Sequence, residues 1–246
     1  MDKGLYILMS GAKEAMLSQA RVANNLANAK TTGFRADLQN YRAMQAIGPG
    51  LESRVFTQSE RPGYNFNEGS LLSTGNPLDV AIKGEGFVAV QRPDGSEAYT
   101  RAGDLQIDTN GFLTTSSGYQ VLGNNGAIVI PPVERMSITA DGTISILPLG
   151  APATALENLD RLKLVKPDYA EIQKGADGLF EGNNGQTFPA DASVTLVTET
   201  IEGSNVNAIN ELTDMIALSR QFEMKVKFMD NLKTLGERTD ALMRIS

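Results

Sequence analysis

The chain has 246 residues, a formal net charge of −7, 22 basic against 29 acidic side chains, and neither cysteine nor histidine. The acidic balance, with no cluster of Lys and Arg, argues against a nucleic-acid partner. The missing Cys and His remove disulfides, thiolate nucleophiles, the usual metal ligands and the commonest general base, so neither a metal nor a cofactor is expected and most hydrolase mechanisms are disfavoured.

Residues 2 to 28 contain no proline, and Leu5, Leu8, Met9, Ala12, Met16, Val22, Ala23 and Leu26 fall on one side when wound at ~100° per residue. This predicts an amphipathic helix. The start does not read as a secretory signal, because the apolar run Leu5 to Met9 is too short and Asp2 precedes it. No stretch approaches the ~18 apolar residues of a membrane span, so membrane insertion is not expected. The helix should end near Asn28, before the β-branched Thr31-Thr32 and a Gly33 able to take a left-handed conformation. Asn24, Asn25 and Asn28 crowd that end. One asparagine makes an ordinary cap; three suggest a helix terminus that a neighbour must meet, and on chemistry alone the two readings stand even.

Residues 35 to 47 are expected to continue helically until Gly48-Pro49-Gly50 breaks the run. Residues 36–74 as a whole read as an extended connector, with one strand from Arg54 to Gln58. From residue 77 the apolar period changes to two, as in Asp104 to Asp108, Ser137 to Thr139, Thr143 to Ile146 and Arg161 to Leu164. Between the runs stand Asp94-Gly95, Asn110-Gly111, Asn125-Gly126 and Asp141-Gly142, dipeptides that supply the positive φ of tight hairpins. Asp177-Gly178, Asn184-Gly185 and a strand from Val194 to Thr198 close a region of antiparallel hairpins or a barrel. A second helix over residues 206 to 244 carries Ile209, Leu212, Met215, Ile216, Phe222, Val226, Met229 and Leu232 on one side. Ser204 or Asn205 would be its N-cap, and Arg238 and Arg244 would lie near its negative end.

One apolar stripe buries little alone, so each helix needs a partner, and the other end of the chain is the nearest one. The fold class expected is α+β. The N- and C-terminal helices would form an antiparallel coiled coil over residues 1–35 and 203–246, and residues 75–202 a central all-β, hairpin or barrel-like domain. In that pairing, opposed residue numbers should add to roughly 245, with Met16 near Met229 and Leu26 near Ser219.

Chemical motifs are weak. Gly84-Glu85-Gly86 leads into a strand, Phe87 to Val90, where a phosphate loop requires a helix. Asp108-Thr109-Asn110-Gly111 lacks the further acidic ligands of a calcium loop and reads as a turn. No local cluster singles out a pair of carboxylates for glycoside hydrolysis.

Four ordered segments carry a resemblance. Asn25-Leu26-Ala27-Asn28 with Thr31, Gly33, Phe34 and Arg35 is similar to the amino-terminal signature of the bacterial flagellar axial proteins, the rod and hook subunits. Thr74 to Phe87, then Tyr99-Thr100-Arg101-Ala102-Gly103 with Asp108 to Gly111 and Leu113, resemble the family's β domain. Glu202-Gly203-Ser204-Asn205-Val206 with Met215-Ile216 and Arg220 to Met224 resemble its carboxy-terminal segment. Within the family the opening Met-Asp-Lys, Phe222-Glu223-Met224 and the length fit a proximal rod subunit, with a distal rod or other axial paralogue as the alternative.

The resemblance implies a structural subunit exported through the flagellar type III apparatus without a cleaved signal. It would polymerise helically into the periplasmic drive shaft, its helices lining the export channel. The implied partners are proximal and distal rod proteins, copies of the chain itself and the export apparatus. The expected assembly interface comprises Leu5, Leu8, Ala12, Met16, Asn24, Asn25, Leu26, Asn28, Gly33, Phe34, Ser204, Asn205, Leu212, Met215, Ile216, Arg220, Phe222, Glu223, Val226 and Met229. The rivals are a peptidoglycan-acting enzyme, which needs a carboxylate pair facing a cleft, and an adhesin stalk, which needs long uninterrupted heptads and a secretion signal.

Overall fold

In the computed structural model, residues 3–38, 41–45, 55–59, 63–150, 152 and 156–243 are described. Gly48-Pro49-Gly50, Arg54 and Arg244 lie outside them. Contacts divide the chain into two units. One comprises Met1–Ala29, Arg35–Phe66 and Val206–Ser246, the other Lys30–Phe34 and Asn67–Asn205.

The helical unit is built on α1 (Lys3–Ala27) and α2 (Ala208–Met243). The first helix stops where asparagine can close it: the Asn28 side-chain amide donates to the Asn24 carbonyl at 2.9 Å, satisfying an acceptor of the last turn. The second starts at Asn207, whose Oδ1 accepts from the backbone N–H of Ile209 at 3.1 Å and Asn210 at 3.3 Å. The N-cap is therefore Asn207, not Ser204 or Asn205, which lie beyond the reach of the first turn. The helices run antiparallel. Lys225 Nζ donates to the Gly11 carbonyl at 2.7 Å and Asn25 Nδ2 to Glu211 Oε1 at 3.0 Å.

In both pairs the residue numbers add to 236. The expected register, roughly 245, is thus wrong by more than two helical turns. It ignored that α1 ends at Ala27 and α2 begins at Ala208, which ties the two ends together. Of residues 35–47, the described ones, 35–38 and 41–45, do not continue the helix. Asp37–Leu38 pairs with Gly63–Tyr64, and Tyr41–Gln45 forms an antiparallel hairpin with Val55–Ser59. Tyr41, Arg42, Ala43, Met44 and Gln45 look helical by count, but the hairpin partner decides.

The β unit is antiparallel throughout its described pairs. Its largest sheet runs in the order Ile172–Lys174, Phe180–Gly182, Glu97–Thr100, Phe87–Gln91, Gln120–Gly123, Leu113–Thr115, Leu105–Ile107, with Gly126–Ala127 and Leu164–Val165 pairing off this path. It is open at Ile172–Lys174 and Leu105–Ile107, so it does not close into a barrel. Val133–Ile138, Thr143–Pro148 and Glu157–Arg161 make a three-stranded meander. Val80–Lys83 pairs with Thr195–Thr198, and Leu71–Ser73 with Thr200–Glu202.

Turn chemistry sets these connections. Gly95, Gly111, Gly142 and Gly178 all hold φ between +83° and +86° at the tips of hairpins. Asn184-Gly185 instead closes a single 3₁₀ turn. The alternating residues Ile138, Ile144, Ile146, Leu162 and Leu164 point into one apolar core with Val88, Val90 and Val121. Ile107 does not join it, because its strand is an edge, and it is 41% exposed.

Candidate assembly surface

Alternate faces of the two helices have different fates. On α1 the side chains of Ala12, Ala15, Ser18, Val22 and Asn25 are buried, and Leu5, Leu8 and Leu26 half-buried. These recur at intervals of three and four, the spacing of one helix face. On α2 the matching face carries Glu211, Met215, Leu218, Phe222, Lys225, Met229 and Leu232, all half-buried. This is the seam. Met16, placed on the seam by the sequence pattern, points outward and is 62% exposed. So are Leu212, Ile216 and Val226 on α2, beside the exposed Arg220 and Glu223. The residues expected to make one interface therefore fall on two surfaces, one covered by the chain's own helices and one open.

The open surface is markedly apolar. Ile209, Leu212, Ile216, Met224, Val226, Phe228 and Leu235 stand exposed on α2, and Tyr6, Met9, Met16 and Leu17 on α1. Ile209, Leu212 and Ile216 recur at intervals of three and four and so share one outward stripe of α2. Among the described residues no helix is long and apolar enough to cross a membrane.

The asparagines at the end of α1 have separate roles. Asn28 caps the helix on the carbonyl of the exposed Asn24. Asn25, fully buried, reads the backbone of Asp37 from both sides: its Oδ1 accepts from Asp37 N at 2.9 Å and its Nδ2 donates to Asp37 O at 3.1 Å. Arg21 Nη1 donates to the same carbonyl at 3.0 Å. One asparagine thus binds the end of α1 to the segment that follows it and to Glu211 of α2.

Gly33, Phe34, Ser204 and Asn205 belong to the β unit. Gly33 sits at φ +67°, and a Cβ there would collide with the backbone of Arg101 and Ala102. Its N–H donates to the Glu202 carbonyl at 2.8 Å. Phe34 is buried under the Lys174 ammonium, 3.8 Å from the ring centroid, and its carbonyl accepts from Asn205 N at 3.3 Å. Asn205 Nδ2 donates to Asn67 O at 2.9 Å. The segments that leave this unit are bonded to one another inside it.

At the centre of that joint lies a buried ion pair that sequence reasoning missed. Arg101 Nε donates to Glu202 Oε2 at 2.7 Å. The remaining guanidinium nitrogens donate to the carbonyls of Gly84 at 2.8 Å, Gly86 at 2.9 Å and Ile82 at 3.1 Å. Glu202 Oε1 accepts from Gly69 N at 2.8 Å. A planar five-donor guanidinium suits this multi-point role, and both carboxylate oxygens of Glu202 are occupied. Both residues stood in the quoted motifs, but only their chain positions, not their contact, could be read there. Gly84-Glu85-Gly86 is no phosphate loop: the carbonyls of both glycines accept from Arg101.

Other carboxylates are likewise engaged in structure. Glu97 holds Lys163 at 2.7 Å and accepts from the Tyr99 hydroxyl at 2.9 Å; burial drives the Tyr99 pKa well above its ordinary value. Arg92 bridges Asp177 at 2.6 Å and Glu181 at 2.8 Å. Asp108 Oδ1 accepts from the N–H groups of Asn110 and Phe112, both at 2.8 Å, as a turn residue. Among the described residues no group of three or more Asp or Glu could hold a metal.

Three family models match in chain order: "Flagella basal body rod protein" over residues 5–35, "Flagellar hook protein FlgE/F/G D1 domain" over 81–146, and "Flagellar basal body rod FlgEFG protein C-terminal" over 197–242. The chain is 40% identical over 252 aligned positions to the flagellar basal-body rod protein FlgF of Escherichia coli K12, covering all of both chains. It is 39% identical to FlgF of Salmonella typhimurium LT2, again over the whole of both. With the flagellar basal-body rod protein FlgG of Buchnera aphidicola (Schizaphis graminum) it shares 31% over all of this chain and 99% of the relative.

Proposed function

The chain belongs to the flagellar basal-body rod protein family and is a structural subunit of the rod, not an enzyme; from that premise we propose how its two units divide the work. The α1–α2 pair acts as a two-helix coiled-coil element that packs side by side with the pairs of neighbouring subunits around the export channel. Subunits join through heterologous contacts, which propagate a helix instead of closing a ring. Neighbours are copies of this chain and the other proximal and distal rod proteins. Delivery is through the type III export apparatus, to the periplasmic part of the basal body.

The observation that supports this reading is the outward apolar face of α2, with Ile209, Leu212, Ile216 and Val226 exposed although the helix already has a partner. Extensive buried contacts are what torque transmission requires of a shaft. The test replaces Leu212 and Ile216 together by Ser. Because both side chains are exposed, the purified chain should melt within about 0.5 kcal/mol of the parent. Swarming of complemented cells and recovery of the chain in purified basal bodies should both be lost. Normal swarming would remove the outward face from the assembly.

A further inference from the structure

The seam between α1 and α2 is poorly specified by its apolar residues. Between Leu8 and Val22, α1 presents Gly11, Ala12, Ala15 and Ser18, a run of small side chains that offers few shape landmarks. Along α2 large side chains return every seven residues at Met215, Phe222 and Met229. Sliding one helix past the other by a heptad replaces methionine by phenylalanine against small neighbours. Such a change is tolerated well by adaptable thioethers. Apolar pattern alone is accordingly compatible with several registers.

Among the described residues two polar bonds cross the seam, and both obey one register. Asn25 Nδ2 donates to Glu211 Oε1 at one end, and Lys225 Nζ to the Gly11 carbonyl further along. They stand 14 residues apart on each helix, two heptads, and so lie on the same face. The first is not an efficient stabiliser. Glu211 Oε2 is buried without a partner, as are Glu14 Oε2 and Arg21 Nε in the same unit. Half-satisfied buried polar groups destabilise a seam, yet they discriminate sharply between one alignment and its neighbours.

We propose that the Asn25–Glu211 and Lys225–Gly11 bonds are a two-point register lock for the terminal helix pair. In a chain slipped by one heptad, Glu211 would lie opposite Ser18, whose hydroxyl already donates to the Glu14 carbonyl, or beyond the last turn of α1, and so would lose Asn25, while the Lys225 ammonium would leave the Gly11 carbonyl. The lock thereby determines which apolar side chains of α2 remain outward. That consequence for neighbouring subunits rests on the rod reading, whereas the register itself does not.

The experiment uses the purified full-length chain, which has no native cysteine. Ser18→Cys with Leu218→Cys reports the observed register. Gly11→Cys with Leu218→Cys, and Gly11→Cys with Leu232→Cys, report a one-heptad slip in either direction; a disulfide forms only where Cα atoms come within ~7 Å. Each pair is oxidised in dilute protein and the monomeric cross-linked product measured. In the parent only the first pair should close. In a Glu211→Met/Lys225→Met background a slipped pair should rise by about tenfold, with helical circular dichroism and melting retained. Glu211→Gln alone keeps an acceptor for Asn25 and should restore the parent pattern. If the double variant still closed only the first pair, apolar packing and the helix caps would suffice and the lock would be refuted. Loss of its helical signal would refute it too, because the bonds would then hold the helices together rather than select their register.

Discussion

The β unit and the helical unit solve the problem of burial in opposite ways. In the β unit, residues such as Val88, Leu113, Val121 and Ile144 are fully enclosed, and the buried Arg101–Glu202 pair has its donors and acceptors matched by local backbone. In the helical unit, α2 has no fully buried side chain among the described residues and leaves Phe228 and Leu235 open. Its seam includes polar atoms without partners. The first unit encloses a continuous apolar core within one chain, although Leu72 and Leu149 stay exposed on it. The second leaves large apolar side chains open along both of its helices.

The contrast breaks most visibly at Arg101. Changing Arg101 to Met would strand the Glu202 carboxylate in the interior, at a cost of about 3–5 kcal/mol. Calorimetry should show the β unit's transition falling while the helical transition holds. A common drop of both would mean that the two units do not unfold separately.

Gly33→Val comes next, at about 2–4 kcal/mol, since it combines a β-branched residue at positive φ with a collision against the Arg101 backbone. The packing against Arg101 makes the β unit itself the target, and a calorimetric β transition unchanged from the parent would contradict that. Asn207→Ala should lower helix stability by about 1 kcal/mol through loss of the N-cap, seen as an earlier far-ultraviolet melt with the β transition intact. An unchanged melt would leave the cap without consequence.

The smallest effect is with pH. Hydrogen bonds from the Thr139 and Thr143 hydroxyls hold the Asp141 pKa down to about 2, against an ordinary 3.8. Bonds from Ser96 lower Asp94, and the Ser193 N–H lowers Asp191. A carboxylate with a depressed folded pKa contributes stability that is fully present above its unfolded value and lost as pH falls through the folded one. The β transition should therefore be insensitive to these groups from neutral pH to about 4 and decline below it. Asp141→Asn should flatten that decline; the same slope in the variant would assign it to other groups.

How much of this was legible beforehand follows the range of each interaction. Asp94-Gly95, Asn110-Gly111, Asp141-Gly142 and Asp177-Gly178 each form the expected turn, because the positive φ of a hairpin tip is a local demand met by local residues. The turn at Gly118 escaped notice, although it shares the same φ of +85°, for want of an Asn or Asp before the glycine. On α1, the spacing of Ala15 and Ser18 could have marked them as seam, but weighting by hydrophobicity favoured Met16, which faces outward.

By itself the sequence determined the two terminal helices, the hairpin-rich region between them and the motifs of the rod family. Those rest on periodicities of 3.6 and 2 and on turn propensities within a few residues. Only the tertiary structure decided that Tyr41–Gln45 is a strand, that the large sheet stays open, that Arg101 meets Glu202, and that opposed helix positions add to 236. Each depends on a partner well separated in the chain, and a pattern read along one strand or one helix holds no information about which residue will lie across from it.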